Sequence, residues 1–237
     1  MSCILNIETS TNVCSVALSQ DGVCLYEDVN MEGPSHAQVL AGYVKNAVSF
    51  ADSHAIPIDA IAISKGPGSY TGLRIGVSEA KGVAYGRDAK LLSVPTLKLL
   101  TVPILLGHEE LPENALLCPM IDARRMEVYC ALYDRALNEV VQTQALVIDS
   151  DSFKEYLDKQ PIYFMGNGAD KCVETIQHPN AHFIKNIVPR AKNMIPLAEM
   201  AMAKEQLEDV AYFEPFYLKE FVATKSKKLL RKSTSHI

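Results

Sequence analysis

The strongest constraint on this chain is an order of segments that occurs twice. Three short apolar runs follow one another at residues 3–7, 13–18 and 23–26, with Gln20-Asp21-Gly22 as the turn before the third. A helix is expected next. Ser35 and Gln38 form a capping box behind Pro34, and Ala37, Leu40, Ala41, Val44 and Val48 mark one apolar face. A strand at 60–64, a helix from Ser69 to about Tyr85, a strand at 91–94 and a helix opening at Pro95 complete the set. The pattern then restarts: strands at 115–121, 127–133 and 140–148, a helix at 152–157, a strand at 162–165 and a further helix. Residues 196–204 make one more amphipathic helix, expected to pack back on one of the lobes. Three strands, helix, strand, helix, repeated without sequence identity, predict a duplicated α/β unit. The plan is that of the actin, sugar-kinase and Hsp70 superfamily, a ribonuclease-H-like fold with a cleft between two lobes. The expected division is a first lobe at 1–106, a second at 107–218 and a basic, flexible tail at 219–237.

Three stretches point beyond fold class. In residues 4–18 an acid, Glu8, ends the first strand and is followed by Thr9, Ser10 and Thr11. Such a turn can offer N–H and O–H donors to an anion, and it can equally be a plain polar hairpin. In residues 65–76, Gly66 and Gly68 allow a sharp bend into a helix whose first N–H groups are unpaired. The order of residues there is neither a P-loop nor a nucleophile elbow. Beyond it Gly72, Gly76, Ala80 and Ala84 recur every four residues, a bare stripe that permits close backbone approach. The stripe serves either internal packing or a subunit contact. The third stretch, 121–133, begins with Asp122, Arg124 and Arg125, read by themselves as a turn with a surface ion pair.

Other chemistry finds little support. The formal net charge of −5 argues against nucleic-acid binding over the whole surface, although Lys219, Lys225, Lys227, Lys228, Arg231 and Lys232 crowd the end of the chain. The six cysteines form no C-x-x-C pair and sit in apolar runs, as small buried residues of a reducing compartment do. His178 and His182 are four apart, but Pro179 and Asn180 separate them and read as surface loop. No metal site is expected, and no Ser-His-Asp or Cys-His set can be assembled. No apolar stretch is long enough to cross a bilayer, and the start lacks a basic segment before Glu8, so a cytoplasmic protein is expected.

Taken together, the acid-Thr-Ser-Thr start, the block Gly66-Pro67-Gly68-Ser69-Tyr70-Thr71-Gly72-Leu73-Arg74-Ile75-Gly76 and the Asp122-Ala123-Arg124-Arg125 segment closely resemble the TsaB (YeaZ) family. Ser35-His36, Gly166-Asn167-Gly168 and Pro215-Phe216-Tyr217-Leu218 agree as well, so the resemblance runs to about Leu218. Glu8 stands where the family more often has Asp.

The resemblance implies a non-catalytic subunit of the machinery that transfers threonylcarbamoyl to the adenosine beside the anticodon of ANN-reading tRNAs. Its partners would be a TsaD-like catalytic subunit and a TsaE-like ATPase, with tRNA contacted indirectly, no membrane, and a homodimer when the chain is alone. ATP and a metal ion would belong to those partners, with no cofactor required by this chain. The metal-binding His-x-x-x-His of the catalytic relative falls here on Thr96 and Leu100. The expected partner surface comprises Ser35, His36, Leu40 and Val44 of one helix with Gly72, Arg74, Ile75, Gly76, Glu79, Ala80 and Ala84 of the next. On this reading a bulky residue at Gly72 or Gly76 breaks pairing and leaves the fold intact. Glu8, Ser10, Thr11, Gly66, Gly68, Ser69, Asp122, Arg124, Gly166 and Gly168 are the candidate nucleotide or phosphate loops. The rival readings are a small-molecule kinase of the same fold and a glycoprotease-like metallopeptidase.

Overall fold

A computed structural model describes residues 2–33, 36–107 and 111–219. The expected basic tail therefore lies, past Lys219, outside the described residues. Strands β1 (Cys3–Glu8), β2 (Cys14–Gln20) and β3 (Val23–Asn30) form an antiparallel meander. Its second turn is Asp21-Gly22, with φ of 50° and 79°, the pair of left-handed residues that a tight hairpin requires. After α1 (His36–Ser53), β4 (Ala60–Gly66) returns parallel to β1. After α2 (Tyr70–Arg87), β5 (Lys90–Pro95) pairs parallel with β4. Helix α3 (Thr96–Gly107) then leads into the second half.

There β6 (Leu116–Asp122), β7 (Glu127–Tyr133) and β8 (Glu139–Val147) form another antiparallel meander. The single turn α4 (Lys154–Leu157) precedes β9 (Ile162–Met165), which is parallel to β6, and β10 (Ala181–Ile184) is parallel to β9. Helix α5 (Ala191–Ala203) and the short β11 (Leu207–Glu208) follow. The sheet orders are β11-β5-β4-β1-β2-β3 and β10-β9-β6-β7-β8. Apart from β11, the second sheet repeats the first strand for strand, so the fold is the duplicated, two-lobed α/β architecture expected from the sequence.

Every residue of β1 is buried, which fits a central strand covered on both faces. Leu5, Ile7, Val16, Leu18, Ile61 and Ile63 meet α1 and α2 through Leu40, Val44, Ala47, Val77, Ala80 and Ala84. The alternate residues Ile4, Ala60, Ala62, Leu92 and Val94 face α3 and α5. Helix α3 also presents Leu97, Leu100 and Ile104 to Leu117, Ile121 and Tyr133 of the second sheet, so it is the wedge between the lobes. Residues of α5 and β11, late in the chain, pack on the first sheet.

Three local expectations need correction. The helix at 152–157 is one turn, because Phe153 takes a left-handed conformation (φ 65°) and no side chain caps it. The helix expected after residue 165 is a three-residue turn, Asp170–Cys172, followed by β10. His182, expected with His178 in a surface loop, belongs instead to β10, where it stacks on Tyr163, while His178 stays in a loop 3.3 Å from Asp158.

Candidate functional site

The carboxyl ends of β1, β4, β6 and β9 converge on a cleft of about 570 Å³ between the lobes. Ser10, Ser69, Arg124, Asn167, Phe216 and Tyr217 contribute to its walls. The duplication extends into the loops. Gly66 ends β4 and Gly166 follows β9, with φ of 107° and 94°, and each is succeeded two residues later by another glycine, Gly68 and Gly168. A Cβ at Gly68 would strike the backbone of Ser10, and one at Gly168 the backbone of Ile121. The first Gly-x-Gly loop is thus pressed against the turn after β1 and the second against the end of β6, contacts only glycine permits.

The sequence-derived phosphate loops do gather here, but several of their donors are already engaged. Ser69 N donates to Ser10 O at 2.6 Å, Gly72 N to Ser69 Oγ at 3.2 Å and Leu73 N to Ser69 O at 2.8 Å. Ser10 N donates to Glu8 Oε1 at 2.6 Å, and the Ser10 hydroxyl donates to the same oxygen. In the second lobe Asp122 N donates to Asn167 Oδ1 at 3.0 Å, Arg124 N to Asp122 Oδ1 at 3.0 Å and Gly168 N to Met120 O at 3.0 Å. A phosphate cradle needs such N–H groups free to face the ligand. These loops direct the donors named here at one another.

Glu8 is wholly buried and does not line the cleft. It reaches back to cap its own turn, and burial pushes its carboxyl above the ordinary value, partly opposed by the Ser10 contacts. The expectation that Glu8 faces a cleft ligand is therefore corrected: the side chain is buried away from the cleft, and its Oε1 holds the loop. Thr96 and Leu100 are likewise buried, inside the α3 wedge.

The chain's late segment closes one side of the cleft. Phe216 N donates to Lys65 O at 2.7 Å, and the Phe216 carbonyl oxygen lies 2.6 Å from where a Cβ on Gly66 would be. Tyr217 rests on Tyr70, ring centroids 4.9 Å apart, and Lys219 pairs with Glu127 of the second lobe. Lys81 of α2 anchors this strap by donating to Ala211 O at 2.9 Å and Phe213 O at 3.1 Å. Nothing in the sequence marks that role beyond the Pro215–Leu218 resemblance.

The hairpin between β6 and β7 is unusual. Arg124 and Arg125 both take left-handed conformations, φ 73° and 52°, which cost a residue with a Cβ about 1 kcal/mol or more each. Lys171 pins the turn: its ammonium contacts Asp122 Oδ1 and donates to Arg125 O at 2.6 Å and Glu127 O at 2.7 Å.

On the helical face the small-residue stripe points inward. Gly72 and Gly76 press against Thr9, where a Cβ on either would collide with its carbonyl or hydroxyl oxygen, and Ala80 and Ala84 lie in the core. His36, Leu40 and Val44 are buried as well, with His36 Nε2 3.2 Å from Val13 O. The expected partner surface is corrected accordingly, because these side chains hold the helices to their own sheet. Ser35 lies outside the described residues. Of the residues named from sequence, Arg74 is exposed, and Ile75 and Glu79 are half-buried. A second track was not expected: Ser78, Gly82 and Gly86 of α2 and Ala41 and Gly42 of α1 are exposed, and Cβ atoms at the three glycines would meet nothing within 4 Å. Its signal is legible, since 78, 82 and 86 share the four-residue period of 72–84 on the opposite face.

Among the described residues no group of three or more His, Cys, Asp or Glu side chains could hold a metal ion, and no helix is long and apolar enough to cross a membrane. Five of the six cysteines are buried, and burial pushes the Cys130 thiol up to about 12, far from a reactive thiolate.

Comparison with known proteins agrees with this site. The family model described as "TsaD: tRNA N6-adenosine threonylcarbamoyltransferase" matches residues 33–227. The tRNA threonylcarbamoyladenosine biosynthesis protein TsaB of Escherichia coli K12 is 28% identical over 229 residues, spanning 94% of this chain and 96% of that protein. The protein of the same description from Bacillus subtilis 168 is 30% identical over 168 residues, 69% of this chain and 70% of the relative. The solved structure of YeaZ from Pseudomonas aeruginosa superposes with a TM-score of 0.77 at 27% identity, covering 92% of this chain and all of that one. With the Gly-Pro-Gly block, the duplicated sheets and these matches in agreement, the chain belongs to the TsaB (YeaZ) family, within the wider family that the TsaD model describes.

Proposed function

We propose that this chain is a non-catalytic subunit of the assembly that places threonylcarbamoyl on the adenosine beside the anticodon of ANN-reading tRNAs. The observation that carries the reading is the match, over nearly the full length of both chains, to proteins named for tRNA threonylcarbamoyladenosine biosynthesis. The engaged donors of the cleft loops and the buried Glu8 support a chain that contributes shape rather than chemistry. Neither rival, kinase or metallopeptidase, gains support from the geometry.

On this reading a TsaD-like subunit pairs with the outer face of α1 and α2. Arg74, Ile75, Ser78, Glu79 and Gly82 supply one row, and Ala41, Gly42 and Lys45 the other. Small residues let a partner helix approach closely, and the flanking charges set its register. A TsaE-like ATPase joins the pair, ATP and the metal ion sit on the partners, and the chain alone pairs with itself through the same helices. The assembly works in the cytoplasm, where tRNA is. Reconstitution tests the reading: a TsaD-like and a TsaE-like subunit, with the threonylcarbamoyl donor and unmodified tRNA, should modify tRNA only when this chain is added. Modification at the same rate without it would overturn the proposal.

A further inference from the structure

A second cavity, of about 400 Å³, opens at the carboxyl ends of β4 and β5, between α5 and the first turn of α3. It shares no lining residue with the cleft between the lobes. Three lysines line it: Lys65 near the end of β4, Lys98 in α3, and Lys204 directly after α5. Among the described residues none of the three has a carboxylate at ion-pair distance. Lys65 and Lys98 are half-buried, so they lose part of their hydration with no anionic partner in return. The Lys98 ammonium sits 5.5 Å from the Tyr133 ring centroid and pulls on the Asp134 carboxyl from beyond ion-pair reach. The one acid in the wall, Glu208, turns its Oε1 to accept from Ser93 Oγ at 2.5 Å. Helix α3 starts at this wall behind Pro95, whose ring offers its first N–H groups no acceptor. A chain of net charge −5 thus places three unpaired cations around one cavity.

We propose that this cavity binds a small phosphomonoester that carries an apolar or aromatic group. Three ammonium groups call for more acceptors than the two oxygens of a carboxylate. A phosphomonoester brings three strong acceptor oxygens and close to two negative charges. The organic part has its match in Met200 and Leu207, which line the same cavity and stay 48% and 45% exposed, high for large apolar side chains. The position agrees as well, because open α/β sheets present their ligands outside the carboxyl ends of the strands. The cavity also has the size of a small-molecule site rather than of a groove for a polymer. Helices α3 and α5 cover the face of the first sheet opposite α1 and α2, so pairing through those helices leaves the cavity open. The inference therefore goes beyond the proposed role in tRNA modification and stands apart from it: a small metabolite can be sensed by this chain inside the assembly.

The test titrates the full chain with phenyl phosphate and with inorganic phosphate at constant ionic strength, following backbone amides by NMR. Saturable shifts should appear at residues 93–98 and 204–208, and phenyl phosphate should bind more tightly than inorganic phosphate. The variant Lys65→Gln/Lys204→Gln should weaken binding of phenyl phosphate roughly tenfold or more, at an unchanged melting temperature. If the double variant melts lower, Lys204→Gln alone decides, because Lys204 is exposed and its loss leaves the packing intact. Shifts that never saturate, or that persist unchanged in the lysine variants, would overturn the inference. So would shifts centred on Ser10, Ser69 and Arg124, which would place the anion in the cleft instead. A repeat with the TsaD-like subunit present separates this inference from the proposed function. Binding should survive pairing, whereas a wild type that binds phenyl phosphate but does not pair would leave the cavity assigned and the proposed function refuted.

Discussion

Gly76 of α2 lies directly against Thr9, the residue after the first strand: a Cβ at Gly76 would collide with Thr9 Oγ1 and press on Ile63 Cδ1. The contact joins helix α2 to the loop that floors the cleft. It also decides what the small-residue stripe is for.

Substitution at Gly76 should therefore damage the fold. Gly76→Ala is expected to cost about 1–3 kcal/mol from overpacking, offset in small part by better helix propensity. Gly76→Leu should prevent folding to a stable monomer. Urea unfolding reads both, and a wild-type midpoint for either variant would contradict the packing described.

Glu8 carries a pH signature. Burial raises its carboxyl above the ordinary value of 4.5. A group whose folded pKa is raised contributes most to stability below its unfolded pKa, and that contribution is lost as pH rises through the folded pKa. Glu8→Gln, neutral throughout, should thus be more stable than wild type at pH 7. The difference should shrink as pH falls toward 4.5. A constant difference across that range would mean Glu8 is not buried as described.

Thiol reactivity follows burial. Cys24 is half-buried on the edge strand β3, while Cys3, Cys14, Cys118, Cys130 and Cys172 are buried. Native protein should release one fast-reacting thiol to a disulfide reagent, absent in Cys24→Ser, with the rest reacting only on unfolding. Several fast thiols would contradict the packing of the two cores.

The strap depends on Lys81, whose ammonium holds the carbonyls of Ala211 and Phe213. Lys81→Met should speed hydrogen exchange at the Phe216 amide, which donates to Lys65 O, while leaving the amides of β1 protected. Unaltered exchange at Phe216 would show that the strap holds without its anchor.

The lobes are legible in the sequence because Leu5, Ile7, Ile61 and Ile63 alternate with Ile4, Ala60 and Ala62, a period that specifies a strand covered on both faces. The orientation of α2 is not legible. Its glycines and small residues lie on two opposite faces, and the period alone cannot say which one meets the sheet. Glu8 misleads for a related reason: a strand-end acid shows chemistry in sequence, but only the fold reveals that Ser10 captures it. The strap is invisible because it joins Phe216 to Lys65 and Lys219 to Glu127 across long sequence separations, with no local pattern.

The central claim is that this chain works by pairing through the outer face of α1 and α2, and size-exclusion chromatography with light scattering tests it most directly. Wild type mixed with the TsaD-like subunit from the same source should elute as a stable heteromer. Gly82→Leu, a change on open surface where a Cβ meets nothing within 4 Å, should keep the wild-type melting temperature and abolish that peak. A heteromer formed equally well by Gly82→Leu, or no association by wild type with the ATPase subunit and ATP present, would contradict the account.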